Sequence, residues 1–324
     1  MQDRNIGVDF YKAIGICLMV ASHASVLGIT TDMFIHAFHM PMFFFISGYL
    51  YKSKDCSIRQ SVKRKTNSLI IPYISFGIIN SVFYIIIYGF HLNPLLHLIS
   101  FNTCNLPIAG ALWFLTAFFF SNVTYLLISK KLLHENIKTA VVLVLMLLGL
   151  FWDLILPSHL TPFAINAGLV GLGLMHLGYL FRRSRFDVSI LPWWLSLLML
   201  CLALIGILLL NGPVNMRTGI YHNPVAFVFN AVIMSVLLLK ISERIAHRFK
   251  TNTIFVQIAL IGERSLVFLG LNQLVLLMAY ILLGGVILTE RILVYCVFVI
   301  SVIVLQLVSS VIVKRPFSYL LGKL

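Results

Sequence analysis

Ten apolar runs, each about 20 residues long, divide the chain, at 10–29, 33–51, 69–89, 107–129, 138–156, 163–181, 190–210, 222–240, 266–288 and 292–313. A helix of that length crosses the hydrocarbon core of a bilayer. Inside lipid every backbone N–H and C=O must be bonded within the protein, which leaves helices and closed barrels as the only spanning structures. These runs are continuously apolar rather than alternating, so they read as helices. Composition agrees, with 60% hydrophobic and 10% charged residues and a mean hydropathy of +1.00, outside the range of water-soluble domains. The expected fold class is all-α, a polytopic membrane helix bundle of about ten transmembrane helices with both termini cytoplasmic, forming a single domain over 1–324. The second and eighth runs are the most polar. The short apolar piece 254–262 reads as interfacial.

Charge tests the count independently, because the loops on the cytoplasmic side of a membrane protein carry the Lys and Arg. With ten spans, 22 of the 24 basic residues fall on one side and Arg217 and Arg291 alone fall on the other. The net charge of +14 is thus chiefly a topology signal, although a basic inner face also attracts anionic lipid or an anionic coenzyme. No soluble basic domain exists that could bind nucleic acid. Asp3 and Asp9, with a long and polar first run, argue against a cleaved signal peptide. Five scattered cysteines without C-x-x-C spacing suggest neither a disulfide framework nor a metal cluster.

The first run, DFYKAIGICLMVASHAS, carries Lys12 and His23. A titratable group in hydrocarbon is costly and faces a protein interior or a water-filled cavity. Eleven residues of helix rise about 16 Å over just more than three turns, so the two side chains share a face, the cation near the cytoplasmic end and the imidazole in the outer half. Asp9, one turn before Lys12, is placed to pair with it. The second run opens FIHAFHMPMFFFISGYLY, which brings His39 to a depth similar to that of His23 and places His36 nearer the outer interface, where solvation accounts for it. Pro41, Ser47 and Gly48 mark a helix that kinks or approaches a neighbour closely. His23, His36 and His39 could be imagined around zinc, but they lack an acidic partner other than Asp32, and no metal is expected. The remaining Asn and Gln residues within the runs, Asn122 and Gln273 among them, read mostly as hydrogen-bonding glue between helices.

Lys12 and His23, then FHMPMFFFISGYLYK and RQSVKRKTNSLIIPY, resemble the membrane acyltransferase family 3, especially its branch of fucose 4-O-acetylase-like proteins. The resemblance continues through ALWFLTAFFF at 111–120, LGYLFRR at 177–183 and GERSLVFLGLN at 262–272, and so covers nearly the whole chain. It implies a ten-helix O-acetyltransferase of the bacterial inner membrane that uses acetyl-CoA as its donor substrate, with no permanently bound cofactor, and a surface-glycan sugar or its lipid-linked precursor as acceptor. On that reading His23 and His39 are catalytic, with the intramembrane histidine as base or as acyl carrier. Lys12, Lys63 and Arg64 hold the coenzyme phosphates, and Trp113 and Asn272 contact the acceptor. The chain departs from the family by having lysine where arginine is common at position 12 and Asn272 where histidine is common. Asparagine positions a substrate but exchanges no proton at neutral pH, which moves weight onto His23.

Imidazole, with a pKa near neutrality, suits removal of a proton from a sugar hydroxyl as it attacks an acyl carbonyl. The same buried Lys and His would also suit a proton-coupled transporter or flippase of lipid-linked sugar. The paired Gly/Pro-broken helices in matching halves that signal an inverted-repeat carrier do not stand out in the sequence.

Overall fold

Asn5 begins the first helix by accepting hydrogen bonds from the N–H groups of Gly7 and Val8 at 3.1 Å each, and Ser57, Asn223 and Asn252 do the same at three later starts. The computed structural model describes residues 5–24, 26, 29–52, 57–100, 102, 108, 110–132, 134–157, 160–185, 192–282 and 291–323, with backbone alone at 29–31 and 291. Its helices are α1 Ile6–His23, α2 Ile29–His36, α3 Pro41–Tyr49, α4 Ile58–Lys65, α5 Ile71–Tyr88, α6 Asn93–Ile99 and α7 Trp113–Lys131. They continue with α8 Glu135–Leu150, α9 Ile165–Arg183, α10 Trp193–Ile205, α11 Pro224–Phe249, α12 Thr253–Glu263, α13 Ser265–Leu282 and α14 Arg291–Ile312. A two-residue antiparallel hairpin, β1 Val214–Asn215 with β2 Ile220–Tyr221, joins α10 to α11. The fold is the all-α bundle expected.

Among the described residues, eight helical spans are long and apolar enough to cross a membrane, and two of the ten expected spans have a different form. The second is split, because Pro41 has no N–H for the carbonyl four residues back. Regular helix gives way to turns over 37–40 and resumes at Pro41. The fifth stops at Leu150 after 16 residues, about 24 Å of rise, and the chain turns where the Trp152 indole donates to Thr161 Oγ1 at 2.8 Å. The first span also ends earlier than its apolar run, so His23 is the last residue of α1 rather than a group in mid-helix.

The basic segments gather at one end of the bundle. Arg183 and Lys138 both pair with Glu135, at 3.0 and 2.9 Å, and Arg182 donates to the Tyr49 carbonyl at 3.1 Å, so the ends of α3 and α9 meet the start of α8. The centre is α9, with 72% of its span buried, against 17% for 193–211 and 22% for α14; those two present apolar side chains outward, as lipid-facing helices do. Without a hydrophobic drive between helices in lipid, association depends on close packing. At Gly48 of α3 a Cβ would lie 1.7 Å from the Met175 carbonyl oxygen of α9, so only glycine allows this approach. The same is true where α12 lies along α1: a Cβ on Gly262 would be 1.8 Å from the carbonyl oxygen of Asp9. The short apolar piece is therefore a helix clamped against α1 beside Lys12.

Candidate functional site

At the basic end a cavity of about 550 Å³ opens between α1, α3, α4, α7 and α13. Among the described residues its cations are Lys12, Lys52, Arg64 and Lys65, and its one carboxylate is Glu263. Lys12 stands 4.0 Å from Asp9, at the outer limit of an ion pair, and lines the cavity. Tyr11, next along α1, donates to the Met42 carbonyl at 3.1 Å, fixing the rotation of α1 against α3. Lys65 donates to Asn122 Oδ1 at 2.7 Å, Ser47 reaches the same oxygen at 3.3 Å, and the Asn122 amide is held by the Phe118 carbonyl at 2.8 Å. Asn122 thus aims a lysine into the cavity in addition to joining helices.

Deeper in, the walls become apolar with Ile16, Phe43, Phe114 and Leu115. A second, smaller cavity of about 130 Å³ begins one helical turn further along α1, with Met19 in place of Ile16, Met40 in place of Phe43 and Trp113 in place of Phe114. A thin apolar layer separates the two. Trp113 is buried, its ring edge-on to Phe114 at 6.1 Å.

The small cavity is lined by His23, His36 and His39 together with Ser22, Asn215 and Arg217. His23 is placed there by the end of α1, His36 by the end of α2, and His39 by the turn that Pro41 causes. The Nδ1 atoms of His36 and His39 lie 2.8 Å from the carbonyl oxygens of Asp32 and Ile35. A carbonyl only accepts, so each Nδ1 donates, and in the neutral ring each Nε2 keeps a free lone pair. The His36 and His39 rings meet edge to face at 5.1 Å. Asp32 also takes the Ser22 hydroxyl, and its carboxylate lies 3.5 Å from His36.

His23 has the opposite arrangement. Gln273 of α13 accepts from the Gly110 N–H through Oε1 at 2.7 Å, which turns its amide nitrogen toward His23 Nδ1 at 3.3 Å. That nitrogen can only donate, so a neutral His23 carries its proton on Nε2. Arg217 comes from the hairpin turn, where Asn215 Oδ1 accepts from the N–H groups of Arg217 and Thr218 at 3.1 and 3.3 Å. Gly110 leaves room for it: a Cβ there would be 2.7 Å from Arg217 Nη1.

Of the residues expected from sequence, Lys12 and Arg64 line the large cavity and His23, His39 and Trp113 the small one. Lys63 is exposed and lines neither, while its neighbour Lys65 does. Asn272 is fully buried in α13, donates to the Phe268 and Leu269 carbonyls of its own helix at 3.1 and 2.8 Å, and lines neither cavity. The adjacent Gln273 makes the contact with His23. His36, Gln273 and Arg217 were not expected in the site. For Arg217 the signal was present, since a basic residue on the side that topology leaves almost free of them has some reason other than topology. Among the described residues no group of three or more His, Cys, Asp or Glu is placed to hold a metal ion.

A family model described as an acyltransferase domain matches residues 5–311, nearly the whole chain. No curated protein and no solved structure matches it.

Proposed function

The chain belongs to membrane acyltransferase family 3, and from that premise we propose that it moves an acetyl group from acetyl-CoA, held at the basic end, to a hydroxyl of a surface-glycan sugar or its lipid-linked precursor at the opposite end, in a bacterial inner membrane. Acyl transfer in a membrane-embedded bundle is the family's activity; the donor, the acceptor and the histidine chemistry are our reading. One observation carries it: α1 presents Lys12 to a large cationic cavity and His23 to a small histidine-lined one. The first suits a long donor with phosphates at one end, and the second suits a reacting carbonyl and one sugar edge.

In this reading Lys12, Arg64 and Lys65 hold the diphosphate and the acyl arm runs inward toward Ile16 and Phe43. Met19 and Met40 sit in the layer between the cavities, and their flexible side chains can turn aside at small cost. The acceptor hydroxyl gives its proton to Nε2 of His39, which has the free lone pair, and its oxygen bonds to the acetyl carbon. As the carbonyl oxygen becomes an oxyanion, Nε2–H of His23 and the Arg217 guanidinium donate to it. The C–S bond then breaks, the His39 proton passes to the leaving thiolate, and the products are an acetyl ester and free coenzyme A. Trp113 offers an aromatic face to the sugar.

The test is transfer of radiolabelled acetyl from acetyl-CoA by purified protein in vesicles. Label on the glycan, lost with His39→Ala, is the expected result. Movement of glycan across the vesicle without label would replace this reading with that of a carrier.

A further inference from the structure

The large cavity continues past Arg64. A second lobe of about 540 Å³ adjoins it, and the two share Arg64, Ser68, Glu263 and Leu266 in their walls. The new lobe has an apolar floor of Leu266, Val267 and Val313, with Arg264 and Lys323 at its rim. It is made by the segment that follows α14, a short helical turn Phe317–Leu321 that docks on the π-helical turn Thr66–Ile70 at the head of α5. Gly322 sets the seating. Its φ is +66°, and a Cβ there would lie 1.7 Å from the Asn67 carbonyl oxygen, so a glycine is needed for both conformation and approach. Arg264 extends one N–H to Ser309 Oγ at 3.4 Å, a weak tether on a fork with five donors.

Among the described residues, the lining of both lobes holds six cations, Lys12, Lys52, Arg64, Lys65, Arg264 and Lys323, and one carboxylate, Glu263. Coenzyme A has two separated anionic groups, the diphosphate and the ribose 3′-phosphate, on either side of an adenosine. With the acyl arm directed into the first lobe, the nucleotide leaves by the mouth that Arg64 shares with the second. We propose that the second lobe binds the nucleotide end of the donor, with the 3′-phosphate against Arg264 and Lys323 and the adenine over Leu266 and Val313. This rests on the acyl-CoA reading above. An anionic lipid headgroup has similar chemistry, but the lobe shares Arg64, Ser68, Glu263 and Leu266 with the large cavity and so extends it.

The experiment compares acetyl-CoA, 3′-dephospho-acetyl-CoA and acetyl-pantetheine as donors for the full-length protein in zwitterionic nanodiscs. Loss of the 3′-phosphate should raise KM about tenfold or more, as loss of a charge-assisted contact does, with kcat little changed. Arg264→Gln and Lys323→Gln should raise KM for acetyl-CoA by a similar factor and leave KM for the dephospho donor unchanged. Lys323→Arg should restore the preference, which separates a lost contact from a disturbed fold. Equal use of acetyl-CoA and its dephospho form, or equal effects of Lys323→Gln on both, would overturn the proposal. So would equal use of the two donors combined with a requirement for anionic phosphatidylglycerol, which would make the lobe a lipid site. Use of dephospho-acetyl-CoA and acetyl-CoA alike leaves the acyl-CoA reading standing, whereas turnover of none of the three defeats that reading and this proposal with it.

Discussion

The two cavities along α1 differ in every property that matters for chemistry. The one at the basic end holds about 550 Å³ and several long-chain cations; the other holds about 130 Å³ and three histidines fixed by carbonyls, an amide and a carboxylate. Flexible cations tolerate a large polyanion in more than one pose, while a reacting carbonyl and a proton acceptor must be held within a narrow geometry. On the proposed function, the difference divides the labour of α1 by depth, with capture at one end and reaction at the other. It also implies that the two ends fail differently when mutated.

The largest effects should come from the histidines. His39→Ala should lower kcat by a factor of about 10² to 10⁴, the usual cost of losing a proton-transferring group, and His23→Ala by about 10² to 10³, the cost of losing an oxyanion donor, with the amount of protein in the membrane unchanged. Glutamine separates their roles, because its amide donates a hydrogen bond but takes up no proton. His23→Gln should retain at least about a tenth of the activity if His23 acts as a donor to the oxyanion, and His39→Gln should retain none. Equal loss in both would return the proton-accepting role to His23. Acetyl content of the glycan product, with acetyl-CoA binding measured alongside, decides it.

The contrast between the ends was only partly legible in the sequence. Long apolar runs and lopsided charge make a helix bundle because lipid leaves no other choice, and an 11-residue spacing on one helix is enough to put Lys12 and His23 on one face. Contacts between distant segments carry no such periodicity. Gln273 reaches His23 from 250 positions away, and Arg217 arrives on a hairpin too short to have a strand pattern. Along a helix one position is about 100° of rotation, so the motif ending in Asn272 could not tell which of two adjacent amides faces the site. Similarly, Lys63, Arg64 and Lys65 are one basic run in sequence. The bond that Lys65 donates to Asn122 selects Lys65, and the helix turns Lys63 away.

At the capture end, removing one cation leaves others, so the effect should be intermediate. Lys12→Ala should raise KM for acetyl-CoA by about tenfold, the scale of one charged contact, and leave the acceptor KM and the turnover at saturating donor nearly unchanged. Lys12→Arg should keep most of the affinity, since the position requires positive charge and reach more than a particular shape. Lys63→Ala, outside the cavity, should be close to unmutated protein. A fall in kcat with unchanged donor KM in Lys12→Ala would move Lys12 from capture to reaction and dissolve the contrast between the two ends.

The smallest and most discriminating effect concerns the adjacent amides of α13. Gln273 bridges the Gly110 N–H and His23 Nδ1, so it orients the imidazole and selects which nitrogen carries the proton. Gln273→Ala should lower kcat by about two- to tenfold, the worth of one neutral hydrogen bond. Gln273→Glu should be worse, because a carboxylate cannot donate to Nδ1 and would instead draw the His23 proton there, leaving Nε2 with a lone pair where a donor is needed. Asn272 bonds only to the carbonyls of its own helix, and its Oδ1 has no partner among the described residues. Asn272→Ala removes a buried group whose oxygen gains nothing from its surroundings, so kcat and KM should each change by less than about twofold. If Asn272→Ala slows transfer more than Gln273→Ala does, the acceptor reaches deeper into α13 than the small cavity extends. His23 would then be positioned by the substrate rather than by Gln273.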